Sequence, residues 1–248
     1  MTDTVPASFS ALIDQFETRR RTVTVHAPAL PDALARIFGT RHVELEHEFL
    51  PHEAAEPFLT VTQGERYIGS VDLPAVYDFG HPRIHEIGSP DLIDAAYQRL
   101  TSLLPDTVFS SLDRRQLLAT SREFEDRAWR VGSGRLDVGF QRLSKLQPQA
   151  DIYTALCDRG LDVHVYGKPD WRPPFTSRVT LHLDGPEVAN VWFMAYDGGD
   201  DTEQSCGLVA EEQSPGSYRG VWTYDIETVE QIFAVAERIG PSSESELP

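Results

Sequence analysis

Between the apolar runs of "VWFMAYDGGDDTEQSCGLVAEE" the chain places two glycines among three aspartates, Asp197, Asp200 and Asp201. Hard carboxylate oxygens presented from a turn are what a Mg²⁺ ion needs if it is to keep its waters and use a substrate's phosphate oxygens. The same residues also describe a hairpin turn in an acidic protein, with Gly198 and Gly199 supplying backbone angles that other residues resist. The other groups with chemical potential are histidines. His42, His47 and His52 lie close in sequence, but a spacing of five on a strand puts His47 and His52 on opposite faces, so they converge on one ion only where the strand bends or ends. His164 and His182 alternate with apolar residues, a setting in which a backbone or carboxylate partner satisfies the ring. Cys157 and Cys206 are too few and too far apart for a disulfide framework or a zinc site, and each reads as a small apolar residue. There is no G-x-S-x-G, H-E-x-x-H, P-loop or dinucleotide fingerprint; "GSG" at 132–134 follows a helical pattern and precedes an extended one, the wrong order for cradling phosphate. The expectation is no catalytic residues, no metal and no cofactor.

Charge sets the weight given to those aspartates. Asp plus Glu number 39 against 22 Lys plus Arg, a net −17, and the only lysines are Lys145 and Lys168. Such a surface repels phosphate backbones and anionic lipids, which disfavours nucleic acid and membrane insertion as partners. It also makes any single carboxylate more often a solvated surface group than a reagent. Scarce lysine with acidic excess fits a cytosol rich in salt, where screening shortens the reach of self-repulsion to about 3 Å at 1 M. Stability is therefore expected to rise steeply with KCl; a melting temperature unchanged between dilute buffer and molar KCl would contradict this. No apolar run reaches about 18 residues, and "MTDTVPASFS" has neither a basic start nor an apolar centre, so a cytoplasmic location is expected. Hydrophobic content of 40% in 248 residues can build a real core.

Periodicity supplies the elements that must position these residues. Helical stripes are read at Ser8–Arg20, with Ser8 as cap, then in "PDALARIF", "SPDLIDAAYQRLTSLL", Asp113–Val131, "PQADIYTALCDRG" and "IETVEQIFAVAERI", the last capped by Asp225. Strand-like runs are "RTVTVHA", "HVELEHEF", "PFLTVTQ", "RYIGSVDL", "RLDVGFQRLSKL", "LDVHVYG", "RVTLHLD", "VWFMAYD", "SCGLVAEE" and "YRGVWTYD". The fold class is α/β: a mixed β-sheet flanked by helices, with a C-terminal antiparallel meander and a final helix. The division expected is an N-terminal α/β half at 1–110, a second domain at 111–239 and a disordered tail at 240–248. The two halves share an order: "LIDQFETRRRTVTVHAPALPD" and "IYTALCDRGLDVHVYGKPD" both run helix, tight link, strand, then a loop ending Pro-Asp. Two strands around a polar glycine turn follow in each, which points to internal duplication, with the strand at Val23 matching that at Val163 when the halves are superposed.

Two resemblances bear on function. The "GGDD" hairpin resembles the GGDEF signature of diguanylate cyclases, in which the hairpin holds substrate and helps bind metal, but here Thr202 stands where the signature has an aromatic. A nucleotide-handling, cyclase-like enzyme using Asp197, Asp200 and Asp201 is thus one alternative. Residues from about Asp113 to Arg238 resemble the DICT domain, through "RRQLLATSREFEDRA", "VGFQRLS", "DVHVYGKPD", "VWFMAYDGG", "LVAEE" and "YRGVWTYD" in that order. The first 110 residues look like the extension of stand-alone archaeal members from salt-rich habitats. The resemblance implies a sensory role in signal transduction, with output through a partner such as a histidine kinase, a photoreceptor or a transcription regulator. The expectation is accordingly a non-enzymatic cytoplasmic module that binds a small ligand, a signalling protein, or both; a ligand-free structural adaptor is the other alternative. For the binding site the sequence offers Arg127, Phe140, Gln141, Tyr166, Tyr196, Trp222 and Tyr224, aromatics near strand ends with a few polar groups among them. Phe140, Tyr166 and Trp222 fit a core role equally well.

Overall fold

Alternating helical and period-two patterns do assemble as two mixed sheets with helices packed on them. The structure, a computed structural model, describes residues 5–16, 21–39, 41–51, 56–74, 76, 102–104, 106, 108–175, 178–183 and 188–239. The helix expected over 89–104 lies outside these residues except for 102–104, and His52 and the tail at 240–248 lie outside them altogether. The described elements are α1 (Phe9–Phe16), β1 (Arg21–Ala27), α2 (Asp32–Phe38), β2 (Val43–Phe49), β3 (Phe58–Gln63), β4 (Arg66–Asp72), β5 (Val108–Asp113) and α3 (Arg114–Val131). They continue with β6 (Arg135–Arg142), a 3₁₀ stretch at Leu143–Gln149, α4 (Ala150–Arg159), β7 (Asp162–Lys168), β8 (Val179–Leu183), β9 (Val191–Tyr196), β10 (Cys206–Ser214), β11 (Ser217–Thr223) and α5 (Ile226–Ile239).

The caps follow local chemistry. Ser8 Oγ accepts from the Ala11 amide at the start of α1, and Asp225 accepts from the amide and hydroxyl of Thr228 at the start of α5, so orphan amides are satisfied by side chains. Gly160 closes α4 in the left-handed region at φ 118°.

The smaller sheet has the order β2-β1-β3-β4 and the larger β5-β11-β10-β9-β6-β7-β8. β1 runs parallel to β2 and β7 parallel to β8, while β3–β4 and β9–β10 are antiparallel pairs. The rhyme between the halves therefore holds for these pairs. It breaks at one place: β1 pairs directly with β3, whereas β6 lies between β7 and β9. β5 was not foreseen. "VFSSLD" is short and half polar and falls between two expected helices, yet it pairs with β11 at the edge of the larger sheet, and Phe109 also bridges to Arg41. The division at 110/111 passes through this strand.

The larger sheet is buried on both faces. α1 and α5 cover one, in a cluster containing Phe9, Leu12, Tyr166, Phe193, Val209 and Ile232. The other face shares a cluster with α3, α4 and the small sheet, containing Phe124, Tyr153, Val163, Trp192, Met194, Tyr196 and Trp222. A central strand covered on both sides has no solvent face, which is why β6 buries Asp137 and Gln141 as well as Leu136, Val138 and Phe140.

Candidate functional site

At the C-terminal end of β6, where the sheet changes from parallel to antiparallel neighbours, the strands do not fill the space under α3. A shallow recess, partly open to solvent and with enclosed room for about one water, is lined by Arg114, Phe140, Gln141, Lys145, Gln149, Trp192 and Tyr218. Its walls are aromatic and fixed: Trp192 lies 6.4 Å from Phe140 and meets Tyr218 edge-on at 6.3 Å, and Tyr153 packs edge-on behind Phe140 at 5.8 Å. Register explains the grouping. Phe140 lies near the end of β6, Trp192 is the second residue of β9 and Tyr218 the second of β11, and all three are nearly buried.

The polar groups form a connected rim. Gln141 Nε2 donates to Glu212 Oε2 at 2.7 Å, Lys145 Nζ donates to Gln141 Oε1, and the Lys145 ammonium lies 4.0 Å from Glu212. Glu212 also accepts from the Gly216 amide at 3.1 Å. That amide bond, with help from Gln141 and Lys145, holds the carboxylate below its ordinary range. Burial pushes the Lys145 ammonium down, and the nearby cations Arg114 and Arg142 push it further while Glu212 opposes them. Arg122 donates to Gln149 Oε1 at 3.0 Å. The rim cations are largely matched by carboxylates: Lys145 lies beside Glu212, Arg142 lies 3.8 Å from Asp170 and Arg122 pairs with Glu125.

Of the seven residues offered by the sequence, Phe140 and Gln141 line this recess. The others lie elsewhere. Tyr196 donates to Ser133 O at 2.8 Å at the opposite end of the strands. Trp222 is buried against Phe109 at 5.6 Å. Arg127 pairs with Glu123 and lies 4.5 Å over the Tyr224 ring. Tyr166 is on the other face of the sheet, where it donates to Asp137 at 2.8 Å and stacks on His182 at 4.2 Å. Arg114, Lys145, Gln149, Trp192 and Tyr218 were missed. Trp192 had the best available signal, a large ring near the start of an apolar strand, but hydrophobicity alone reads it as core.

The "DGGDD" segment forms a loop between β9 and β10, with Gly198 at φ 87° and Gly199 at φ 56°, the positive angles expected of a turn. Its carboxylates have structural partners. Asp197 accepts from the amides of Arg135 at 3.0 Å and Gly199 at 2.8 Å, Asp200 accepts from Ser133 Oγ at 3.0 Å, and Asp201 accepts from the Glu203 amide at 3.2 Å as cap of a short 3₁₀ turn. No group of three metal-ligating side chains occurs among the described residues. Both Asp200 and Asp201 are exposed. Replacing both with Asn keeps acceptors in place, so a loss of at most about 0.5–1 kcal/mol is expected. Calorimetry should find no tight Mg²⁺ or Mn²⁺ binding that this double variant abolishes.

Three buried carboxylates depart from the expectation that acidic groups are solvated. Asp137 is fully buried and gripped by Arg135 at 2.7 and 2.9 Å. Glu123 pairs with Arg127, and Glu125 accepts from Tyr153 Oη at 2.5 Å and pairs with Arg122. Burial pushes both glutamates above the usual carboxylate range, against the opposing pull of Arg127 and Arg122 respectively. A carboxyl with a raised folded-state value binds more protons folded than unfolded. Its contribution is complete below about pH 4.5 and is lost as pH rises through the folded-state value. The gap in melting temperature between wild type and Glu125→Gln should therefore shift in favour of the variant from pH 4 to pH 8; a gap independent of pH contradicts this.

The family described as "Sensory domain in DIguanylate Cyclases and Two-component system", DICT, matches residues 94–213, just under half of the chain. The matched segment includes β6, α4, β7, β8, β9 and most of β10, and all recess residues but Tyr218. No curated protein matches the chain. Among solved structures, the crystal structure of a polyphosphate kinase from Porphyromonas gingivalis aligns over 94% of this chain and 44% of that one, at 12% identity and a TM-score of 0.36. The chain thus spans less than half of that kinase, and a likeness of this degree carries no argument about activity. No helix among the described residues is long and apolar enough to cross a membrane.

Proposed function

We propose that the chain is a non-enzymatic cytoplasmic sensory module whose input is a small molecule bound across the mouth of the shallow recess between β6, β9, β11 and the start of α3. The observation that carries this is the recess itself: three nearly buried aromatic side chains and a polar rim, built on rigid strand ends at the point where the sheet changes direction. The sensory-domain match over residues 94–213 supports the same reading. Output passes to a signalling partner such as a histidine kinase, a photoreceptor or a transcription regulator. The Glu212–Gln141 contact ties the recess to the β10–β11 hairpin, a route by which occupancy reaches the surface.

The test is retention of a native ligand. Protein purified without denaturation from its own host is examined by native mass spectrometry beside Gln149→Phe, which places a ring in the recess. A small molecule retained by the wild type and lost from a folded Gln149→Phe supports the reading; equal retention by both contradicts it.

A further inference from the structure

We infer that His164 and His182 form a proton-operated latch on strand β8, closed with at most one extra proton on the pair and opened by the second. β8 is an edge of the larger sheet and pairs with β7, which sets Thr180 opposite His164 and His182 opposite Tyr166. Tyr166 belongs to the cluster under α1 and α5, so the latch is on the face opposite the recess. His164 Nδ1 and His182 Nε2 are 2.8 Å apart, their ring centroids are 5.1 Å apart, and the ring planes differ by only 19°. That centroid separation is the nitrogen separation plus one ring radius at each end. The two nitrogens therefore lie on the line between the rings and face each other head-on, the geometry of a straight hydrogen bond. His182 is 7% exposed, and one face of its ring is covered by Tyr166, stacked at 4.2 Å.

Counting hydrogens sets the limit. A neutral imidazole carries one N–H and an imidazolium two. With both rings neutral, one hydrogen lies between the facing nitrogens. One extra proton still leaves one facing nitrogen bare to accept. A second puts hydrogen on both facing nitrogens and two positive charges in contact, and the bond is lost. Among the described residues the surroundings offset one of these charges, not two. Asp162 Oδ2 lies 3.2 Å from His164 Nε2. Asp137, beside His164 on β6, accepts from Arg135 and Tyr166, and Glu237 of α5 is held by the same Arg135. The 3₁₀ turn Val188–Asn190, which packs on β6 and β7, brings no charged side chain. The second proton thus belongs to the pair as a unit and is taken up only when β8 leaves β7 and water reaches both rings. The open state binds one proton more than the closed one, so acid favours opening, in the window of about pH 5–8 where histidine changes charge. Opening bares the outer edge of β7, a row of backbone donors and acceptors.

Hydrogen exchange of the full chain, followed by NMR from neutral to mildly acid pH and corrected for the intrinsic exchange rate, reads the opening of β8. The ring ¹⁵N shifts of both histidines are recorded on the same samples. The opening constant of the β8 amides is expected to rise about tenfold per pH unit as the second ring charges, with the β9 amides unchanged. His164→Gln and His182→Gln each leave a single ring that can charge without conflict, so each should abolish the rise. If neither variant folds, the wild type alone decides, because β8 must open in step with the second ring. Both rings fully protonated while β8 stays protected overturns the latch. A β8 opening constant independent of pH, or one that rises as steeply in the glutamine variants as in wild type, overturns it too.

Discussion

Asp137→Ala is expected to lower stability by about 3 kcal/mol, at the lower end of what breaking a buried ion pair costs. In a chain of this length that corresponds to about 6–12 °C in melting temperature. The carboxylate is fully buried and accepts from Arg135 Nε and Nη2 and from Tyr166 Oη. Its removal strands a phenol and a guanidinium inside the face covered by α5. The lower end applies because the Arg135 side chain is 27% exposed and keeps its second partner, Glu237 at 2.7 Å, so part of its charge can turn to water. Asp137→Asn, which retains an acceptor for Tyr166 but no charge for Arg135, should fall between alanine and wild type. Tyr166→Phe should cost about 1–3 kcal/mol. Chemical denaturation of the series checks the order, and an Asp137→Ala protein within about 0.5 kcal/mol of wild type would remove the pair from the account of stability.

Gly134→Val is expected to cost about 3–5 kcal/mol, combining strain at positive φ with loss of the Asp197 bonds. Gly134 has φ +96°, and an added Cβ would lie 2.3 Å from Asp197 Oδ1 and 2.6 Å from Gly199 Cα. The substitution therefore pushes out the carboxylate that holds the Arg135 and Gly199 amides and separates the "GSG" and "DGGDD" loops, which otherwise interlock. Gly64→Val is the control. Its φ is also positive, at +58°, but a Cβ there meets nothing within 4 Å, so it should show the backbone strain alone, about 1–3 kcal/mol. Equal losses at the two positions would mean that the loop interlock contributes nothing.

Most elements were legible in the sequence because their patterns are local. The stripe in "IETVEQIFAVAERI" and the alternation in "RTVTVHA" each need only one buried face, and both elements appear where expected. Turn chemistry was also local: Gly198 and Gly199 take the positive angles their spacing implied. What escaped depends on partners distant in sequence. β5 is a strand only because β11, more than a hundred residues later, offers an edge to pair with. The burial of Asp137, Glu123 and Glu125 could not be inferred from a composition in which most carboxylates are solvated, since it requires Arg135, Arg127 and Arg122 to arrive in register. The recess was half visible. Phe140 and Gln141 were named from the end of a strand, but Trp192, Tyr218 and Arg114, which follows β5, join them through the order β5-β11-β10-β9-β6, which no local pattern encodes. Tyr166 left the group for a simple reason: alternation along β7 sends it to the opposite face of the sheet.

The most direct measurement is a ¹H–¹⁵N spectrum of the whole chain, recorded with and without the low-molecular-mass fraction of its host's extract. The account predicts perturbation centred on the Trp192 indole N–H and the side-chain amides of Gln141 and Gln149, with smaller shifts along β10 through Glu212. Perturbation centred instead on Asp197–Asp201, or on Tyr166 and His182, with the Trp192 indole unmoved, would contradict it.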